Sequence, residues 1–219
     1  MLCLFDIDGT LLLKASAAHA QAVLEAMGAV YGLTERPEGS LEAAGRTDLE
    51  IARRLALLGG ISAERFDAGR DDFRVAASEA YARLCPPDLS AHVAPGIVEV
   101  LEELDAREGV RLAVLTGNLE PIAHLKLARA GLGRFFEHGQ GGFGSDHEDR
   151  TELPAIARAR AGGYPRAQTV VIGDTPRDIA CARADEVRCI AVATGPFTTA
   201  QLADADVVLA SAHELLDVL

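Results

Sequence analysis

The chain has 219 residues, 49% of them hydrophobic, which is enough to bury a sizeable core in one or two domains. Lys and Arg total 21 against 33 Asp and Glu, and the formal net charge of −12 describes a surface that repels nucleic acid and anionic lipid, so neither is expected as a partner. No apolar run approaches membrane-spanning length, and any anionic substrate needs a local cationic site set against the overall field.

The chain begins almost directly on a strand, leaving no room for a basic segment, an apolar leader and a cleavage site. Cys3, Cys85, Cys181 and Cys189 have no CxxC spacing, and three lie inside apolar runs, so buried reduced thiols are expected. Together these readings predict a cytoplasmic protein. The run Leu2 to Phe5 is too short for a helix and reads as a fully buried strand that ends in Asp6, Ile7, Asp8, Gly9 and Thr10. If the extended geometry persists to Asp8, the two carboxylates project to one side, and Gly9 then permits a sharp turn. Carboxylates held that close repel each other and take up a proton unless a cation neutralises them, so the pair asks for a metal. The plainer alternative is an Asp-Gly turn after an edge strand.

From Lys14 to about Ala91 the pattern becomes helical. Val23, Met27, Val30 and Tyr31 share one face, as do Ile51, Leu55 and Leu58, and then Phe73, Ala77, Tyr81 and Leu84. Thr47 to Glu50 fits a capping box, and Cys85 to Asp88, CPPD, cannot continue a helix. A helix through Ile97, Val98, Leu101 and Leu104 leads to a second strand, Arg111 to Leu115, closed by Thr116, Gly117 and Asn118. A helix from about Glu120 to Ala130 and a short segment near Phe136 to Gly142 follow, with a turn expected at Gly141, Gly142 and Gly144. A helix from about Thr151 to Ala161 precedes a third strand, Thr169 to Ile172, closed by GDTPRD from Gly173 to Asp178. Cys189 to Ala193 and Val207 to Leu209 supply two more strands, each followed by a helix-like stretch. The alternation predicts an α/β fold, a doubly wound, Rossmann-like parallel sheet with helices on both faces and an inserted all-helical segment.

In such a sheet the ligand crevice lies beyond the carboxyl ends of the strands. Three strands run directly into polar residues there: Asp6 and Asp8, Thr116 to Asn118, and Asp174. Carboxylates with no nearby His or Cys favour a hard divalent cation, Mg²⁺ when phosphate supplies further oxygens. The Thr116 hydroxyl and the N–H groups of Gly117 and Asn118, near the start of a helix, would make an anion cradle.

DIDGT, LTGN and GDTPRD, in that order and with a helical insertion after the first, resemble the haloacid dehalogenase-like superfamily of phosphatases over essentially the whole chain. The resemblance implies that Asp6 is a nucleophile that becomes an aspartyl-phosphate, and that Asp8 protonates the leaving alcohol and then activates water. It implies that Asp6, Asp174 and the main-chain carbonyl of Asp8 hold Mg²⁺, with Asp178 close behind. Residues 14–91 would form the cap, and 1–13 with 92–219 the catalytic core; closure of the cap would shield the phosphoenzyme from water.

One element departs from the family pattern. A lysine usually stands before the last acidic motif, and neither Lys14 nor Lys126 fits that place, so Arg150 is the expected replacement. Its alternative role is to offset Asp146, Glu148 and Asp149. Arg46 is a candidate for gripping a second anionic group, or else a solvated loop residue. His19, His124 and His147 adjoin no motif and read as surface or packing residues, and the run Asp146 to Asp149 reads as a solvated loop.

The expected function is therefore Mg²⁺-dependent hydrolysis of a small phosphate monoester. The place and helical character of the insertion, with GRTD from Gly45, resemble phosphoglycolate phosphatase-type enzymes. A dehalogenase of this family lacks the second Asp, so Asp8 counts against that reading. A phosphomutase would share the core motifs, and a non-catalytic phosphate-binding protein is the alternative from another class.

Overall fold

The computed structural model describes residues 1–15, 17–39 and 41–219. Strands β1 (Leu2–Phe5), β2 (Arg111–Thr116), β3 (Gly142–Phe143), β4 (Thr169–Gly173), β5 (Arg188–Val192) and β6 (Val207–Leu209) form one sheet in the order β3-β2-β1-β4-β5-β6, every pair parallel. β1 is central, with Leu2 opposite Arg111 on one side and Thr169 on the other. Its residues are buried on both faces, which is why the strand reads as an unbroken apolar run instead of an alternating one. Cys3 and Phe5 pack with Val114 and Ile172 in one core, and Leu2 and Leu4 with Ala113, Leu115 and Val171 in the other. Strand order reverses at β1, so its carboxyl end is the switch point at which an open sheet forms its crevice.

Four helices are inserted after β1: α1 (Ala17–Tyr31), α2 (Asp48–Leu58), α3 (Ala63–Ala68) and α4 (Arg70–Leu84). They pack through Met27, Tyr31, Phe66, Phe73 and Tyr81, continuous with the core on the Cys3 and Phe5 face of the sheet. The Thr47 hydroxyl accepts from the Glu50 N–H at 3.1 Å, but the Glu50 carboxylate turns to Arg46 and Arg54, so only half of the predicted capping box forms. The buried stripe of α2 is Leu49, Ala52, Leu55 and Ala56, whereas Leu58, expected on that face, is 49% exposed.

The remaining helices are α5 (Ile97–Ala106), α6 (Glu120–Arg129), α7 (Leu153–Arg160), α8 (Pro176–Ala184) and α9 (Leu215–Val218). The helix expected from about Thr151 begins as a 3-10 turn at Arg150–Glu152 before α7. Gly142, expected in a turn, instead belongs to β3 opposite Leu115. The helix-like stretch expected after β5 is a series of turns, because Gly195 and Pro196 interrupt it. All four cysteines are buried and free. Among the described residues no helix is long and apolar enough to cross a membrane.

Candidate active site

β1 delivers Asp6 to the switch point. The Asp6 N–H still donates to the Ile172 carbonyl at 2.9 Å, so sheet geometry extends one residue past the strand, and the N–H groups of Leu11 and Leu12 then fold back onto the Ile7 carbonyl. Gly9 makes this turn at φ +99°, and any Cβ there would collide with the Asp174 carboxylate, so glycine is required by both backbone and space. Asp174 follows β4, and Asp178 stands in the first turn of α8. The Asp178 carboxylate accepts from the N–H and hydroxyl of Thr175 at 3.0 and 2.7 Å.

Asp6, Asp174 and Asp178 each present an oxygen within 4.8 Å of the others, and all three are buried. The Arg150 Nη2 donates to Asp6 at 2.9 Å and to Asp178 at 2.5 Å, while Nη1 donates to the Gly45 carbonyl at 3.1 Å. One guanidinium does not balance three carboxylates. Burial pushes Asp6 up to about 7 against the pull of Arg150, with the charges of Asp178 and Asp8 adding to the rise. Burial, then the charges of Asp6 and Asp178, push Asp174 up to about 9. The buried Oδ2 of Asp174 has no hydrogen-bond partner. An orphaned carboxylate oxygen in an all-oxygen cluster fits a hard divalent cation, whose charge would return these acids to their ionised forms.

Asp8 stands in a different network. Lys126 on α6 is fully buried, and its ammonium lies 2.8 and 2.6 Å from the two carboxylate oxygens of Asp8, 2.8 Å from Asn118 Oδ1 and 3.2 Å from His19 Nδ1. Asn118 Nδ2 also donates to Asp8 at 3.0 Å. An ammonium can only donate, so His19 accepts at Nδ1 and carries its proton on Nε2, which lies 3.0 Å from Asp48 Oδ2. That same oxygen accepts the Leu119 N–H at 2.8 Å. Burial alone would raise Asp8; the charge of Lys126, with the hydrogen bonds from Lys126 and Asn118, outweighs it and holds Asp8 below the usual carboxylate range.

Lys126 does not fit the place of the family's lysine and His19 adjoins no motif, yet the structure brings Lys126 onto Asp8 and His19 onto Lys126. The signal was present: Ile122, Ala123, Lys126 and Leu127 share the buried face of α6, and His19, Ala22, Val23 and Ala26 that of α1. A charged residue in an apolar stripe needs a buried partner, which periodicity alone does not identify. His124 stacks on His138 and His147 binds its own loop near Asp149; neither lines the cavity.

Thr116 ends β2, and with Gly117 and Asn118 it lines a cavity of about 600 Å³ that also receives Asp6, Asp8, Arg150 and Asp174. A Cβ on Gly117 would strike the Arg46 carbonyl, and the Gly117 carbonyl accepts the Asp48 N–H at 2.8 Å, so the insertion is seated directly on this turn. Further bonds fasten it: Thr47 Oγ1 to the Glu148 carbonyl at 2.6 Å, Arg177 Nε to the Ala44 carbonyl at 3.0 Å, and Arg53 Nε to both Glu148 carboxylate oxygens at 2.6 and 2.8 Å. The acidic loop expected to be solvated thus holds the insertion through Glu148, and its Asp146 pairs with Arg160. Arg46 lines the cavity, but its guanidinium donates to the Glu42 carbonyl and pairs with Glu50.

A family model described as haloacid dehalogenase-like hydrolase matches residues 3–183, and a second, HAD-hydrolase-like, matches residues 151–217. Phosphoglycolate phosphatase 1 of Pseudomonas aeruginosa is 28% identical over 200 residues, covering 89% of this chain and 70% of that protein. A phosphoglycolate phosphatase of Pseudomonas putida is 28% identical over 198 residues with the same coverage. Among solved structures, a hydrolase from Pseudomonas syringae superposes with a TM-score of 0.68 at 21% identity, covering 99% of this chain and 96% of that one. A β-phosphoglucomutase from Clostridium difficile gives 0.66 at 15% identity, covering 98% and 92%. At such identities the structural likeness concerns the fold alone.

The acid cluster generates a stability prediction for the metal-free protein. Unfolded aspartates ionise near about 4, so Asp6 and Asp174 hold protons in the folded state that the unfolded chain has released, and unfolding free energy falls as pH rises through their folded values. In EDTA, the two acids are expected to lower the melting temperature as pH rises from about 4, Asp6 up to about 7 and Asp174 up to about 9, and Asp174→Asn is expected to flatten the part of the fall between about pH 7 and 9. Burial of Cys3, Cys181 and Cys189 acts in the same direction near the top of this window, and the variant isolates the acid cluster from it. Thermal scans at graded pH measure both slopes; equal slopes in the two proteins would contradict the reading.

Proposed function

Because this chain belongs to the haloacid dehalogenase-like hydrolases, we propose that it is a Mg²⁺-dependent phosphatase acting on a small phosphate monoester through an aspartyl-phosphate intermediate. The observation that carries the reading is the division of labour between the two acids that follow β1. Asp6 lies in the carboxylate cluster with Arg150, while Asp8, two residues on, is paired with Lys126. Two carboxylates in contrasting environments suit a nucleophile and an acid–base group.

In this mechanism an Asp6 oxygen attacks phosphorus as the bond to the leaving alcohol breaks. Because Lys126 favours the ionised form of Asp8, Asp8 takes up a proton from solvent before giving it to that alcohol, and then accepts one from the water that cleaves the aspartyl-phosphate, releasing inorganic phosphate. Asp6, Asp174 and the Asp8 main-chain carbonyl would hold Mg²⁺, with Asp178 behind them, and the ion would offset charge on the transferring oxygens. The Thr116 hydroxyl and the N–H groups of Gly117 and Asn118 cradle a phosphate oxygen, and Arg150 supplies the fixed positive charge beside Asp6. Lys126, with Asn118, restricts the orientation of Asp8; it is a positioning residue. Residues 14–91 act as the cap over a core of 1–13 and 92–219, and seating of the cap excludes water while the phosphoenzyme exists. Four buried free thiols support a reducing, cytoplasmic setting.

Hydrolysis of p-nitrophenyl phosphate by the purified protein is expected to stop with EDTA and return with Mg²⁺, which also separates an enzyme from a phosphate-binding regulator. Asp6→Asn should lower turnover by roughly 10³-fold or more while melting cooperatively; near-normal phosphate release from that variant would refute the nucleophile. Lys126→Met should lower kcat by roughly 10²-fold with little change in KM. Lys126→Arg should not restore it, because a planar guanidinium cannot bond Asp8, Asn118 and His19 from one point. A variant whose loss lies in KM instead would show that Lys126 serves substrate binding and not Asp8.

A further inference from the structure

We infer that the preferred substrate carries its phosphate on an uncharged, largely apolar alcohol bulkier than glycolate, an inference that rests on the phosphatase reading and names its substrate class. The cavity of about 600 Å³ receives Asp6, Asp8, Thr116, Arg150 and Asp174 from the ends of the strands and the loops that follow them. Its volume lies in the range that receives drug-sized ligands, roughly 300–1,000 Å³, and a two-carbon ester leaves most of it unfilled. Its apolar lining includes Leu13, Val23, Leu24, Leu41, Ile51 and Leu55. Ile51, which is partly buried, and the buried Leu55 both line this space from α2.

A substrate carboxylate lodged against those walls would need a cation within the cavity, since an unpaired buried charge is strongly disfavoured. Among the described residues the interior cations are already engaged. Arg150 is bound to Asp6 and Asp178, and Arg46, the expected grip for a second anion, is bound to the Glu42 carbonyl and paired with Glu50. Lys126 is bound to Asp8 and Asn118, and His19 accepts from it. The remaining cations on the lining, Lys14 and Arg36, are exposed, where an ion pair contributes little. Asp8 and Asp48 also line the cavity, and the net charge of −12 adds to the repulsion of a second anion. An apolar body meets none of these costs, and each methylene it buries strengthens binding roughly fourfold.

The test compares n-hexyl phosphate and phenethyl phosphate with 2-phosphoglycolate and glycerol 2-phosphate at saturating Mg²⁺. It reads kcat/KM on the unaltered protein and equilibrium binding on Asp6→Asn. The apolar esters are expected to exceed phosphoglycolate by roughly tenfold or more in kcat/KM, through KM, with the same order of binding. Ile51→Arg, which places a cation on the apolar wall, is expected to shrink that preference by roughly tenfold or more in a protein that still melts cooperatively. Phosphoglycolate turned over and bound as well as or better than the apolar esters overturns this inference and leaves the phosphatase reading standing. Absence of turnover with every ester, p-nitrophenyl phosphate included, overturns the phosphatase reading and the inference with it.

Discussion

Mutual repulsion among three buried carboxylates at the carboxyl end of the central strand is the constraint on which the rest of this structure depends. Asp6, Asp174 and Asp178 approach one another with a single guanidinium between them, and the surrounding backbone is shaped to permit it. Gly9 leaves room for the Asp174 carboxylate, Thr175 occupies one Asp178 oxygen, and Arg150 spans two of the acids from a helical turn on the far side of the sheet from α1. What this leaves unsatisfied is negative charge and one bare oxygen, both suited to a hard cation and a phosphoryl group.

Asp8 is kept out of that cluster by Lys126. The buried ammonium draws its carboxylate towards α6, and the same ammonium reaches His19, whose other nitrogen is bonded to Asp48. Since His19 and Asp48 belong to the helical insertion and Lys126 to the sheet domain, the proposed acid–base group is joined to the element proposed to cover the site. Asp48 strengthens the link by accepting the N–H of Leu119, at the start of α6. Seating of the insertion and orientation of Asp8 are thereby parts of one hydrogen-bonded system, with the Lys126 ammonium of that system shielded from solvent.

The same seating shapes the cavity. Helices α1 and α2 contribute Val23, Leu24, Ile51 and Leu55 to its wall, while the cation that might have met a second anion, Arg46, is turned to Glu50 on the neighbouring turn of α2. Under the proposed reading the phosphate would meet Asp6, Arg150 and Asp174, and the alcohol a wall in which apolar side chains predominate. In a protein of net charge −12 this contrast is a more selective device than overall attraction, because only an ester with its anion at one end meets favourable surroundings throughout.

By itself the sequence determined the parallel α/β sheet, since strands buried on both faces must be continuous apolar runs, and it determined which polar residues stand at their ends. Asp6, Thr116 and Asp174 were legible because each directly follows such a run, and because DIDGT, LTGN and GDTPRD keep the order seen in a known family. Only the tertiary structure decided the partners. Lys126 lies 118 residues from Asp8, and Asp48 lies 71 from Leu119, and nothing in local periodicity reports which buried charge will meet which. The same holds for Arg46, whose guanidinium could have faced substrate or Glu50 until packing of the insertion fixed it. Strand and helix patterns arise from interactions a few residues apart, whereas the pairing of buried charges is settled by desolvation across the whole fold, where each must find its counterpart or go unburied.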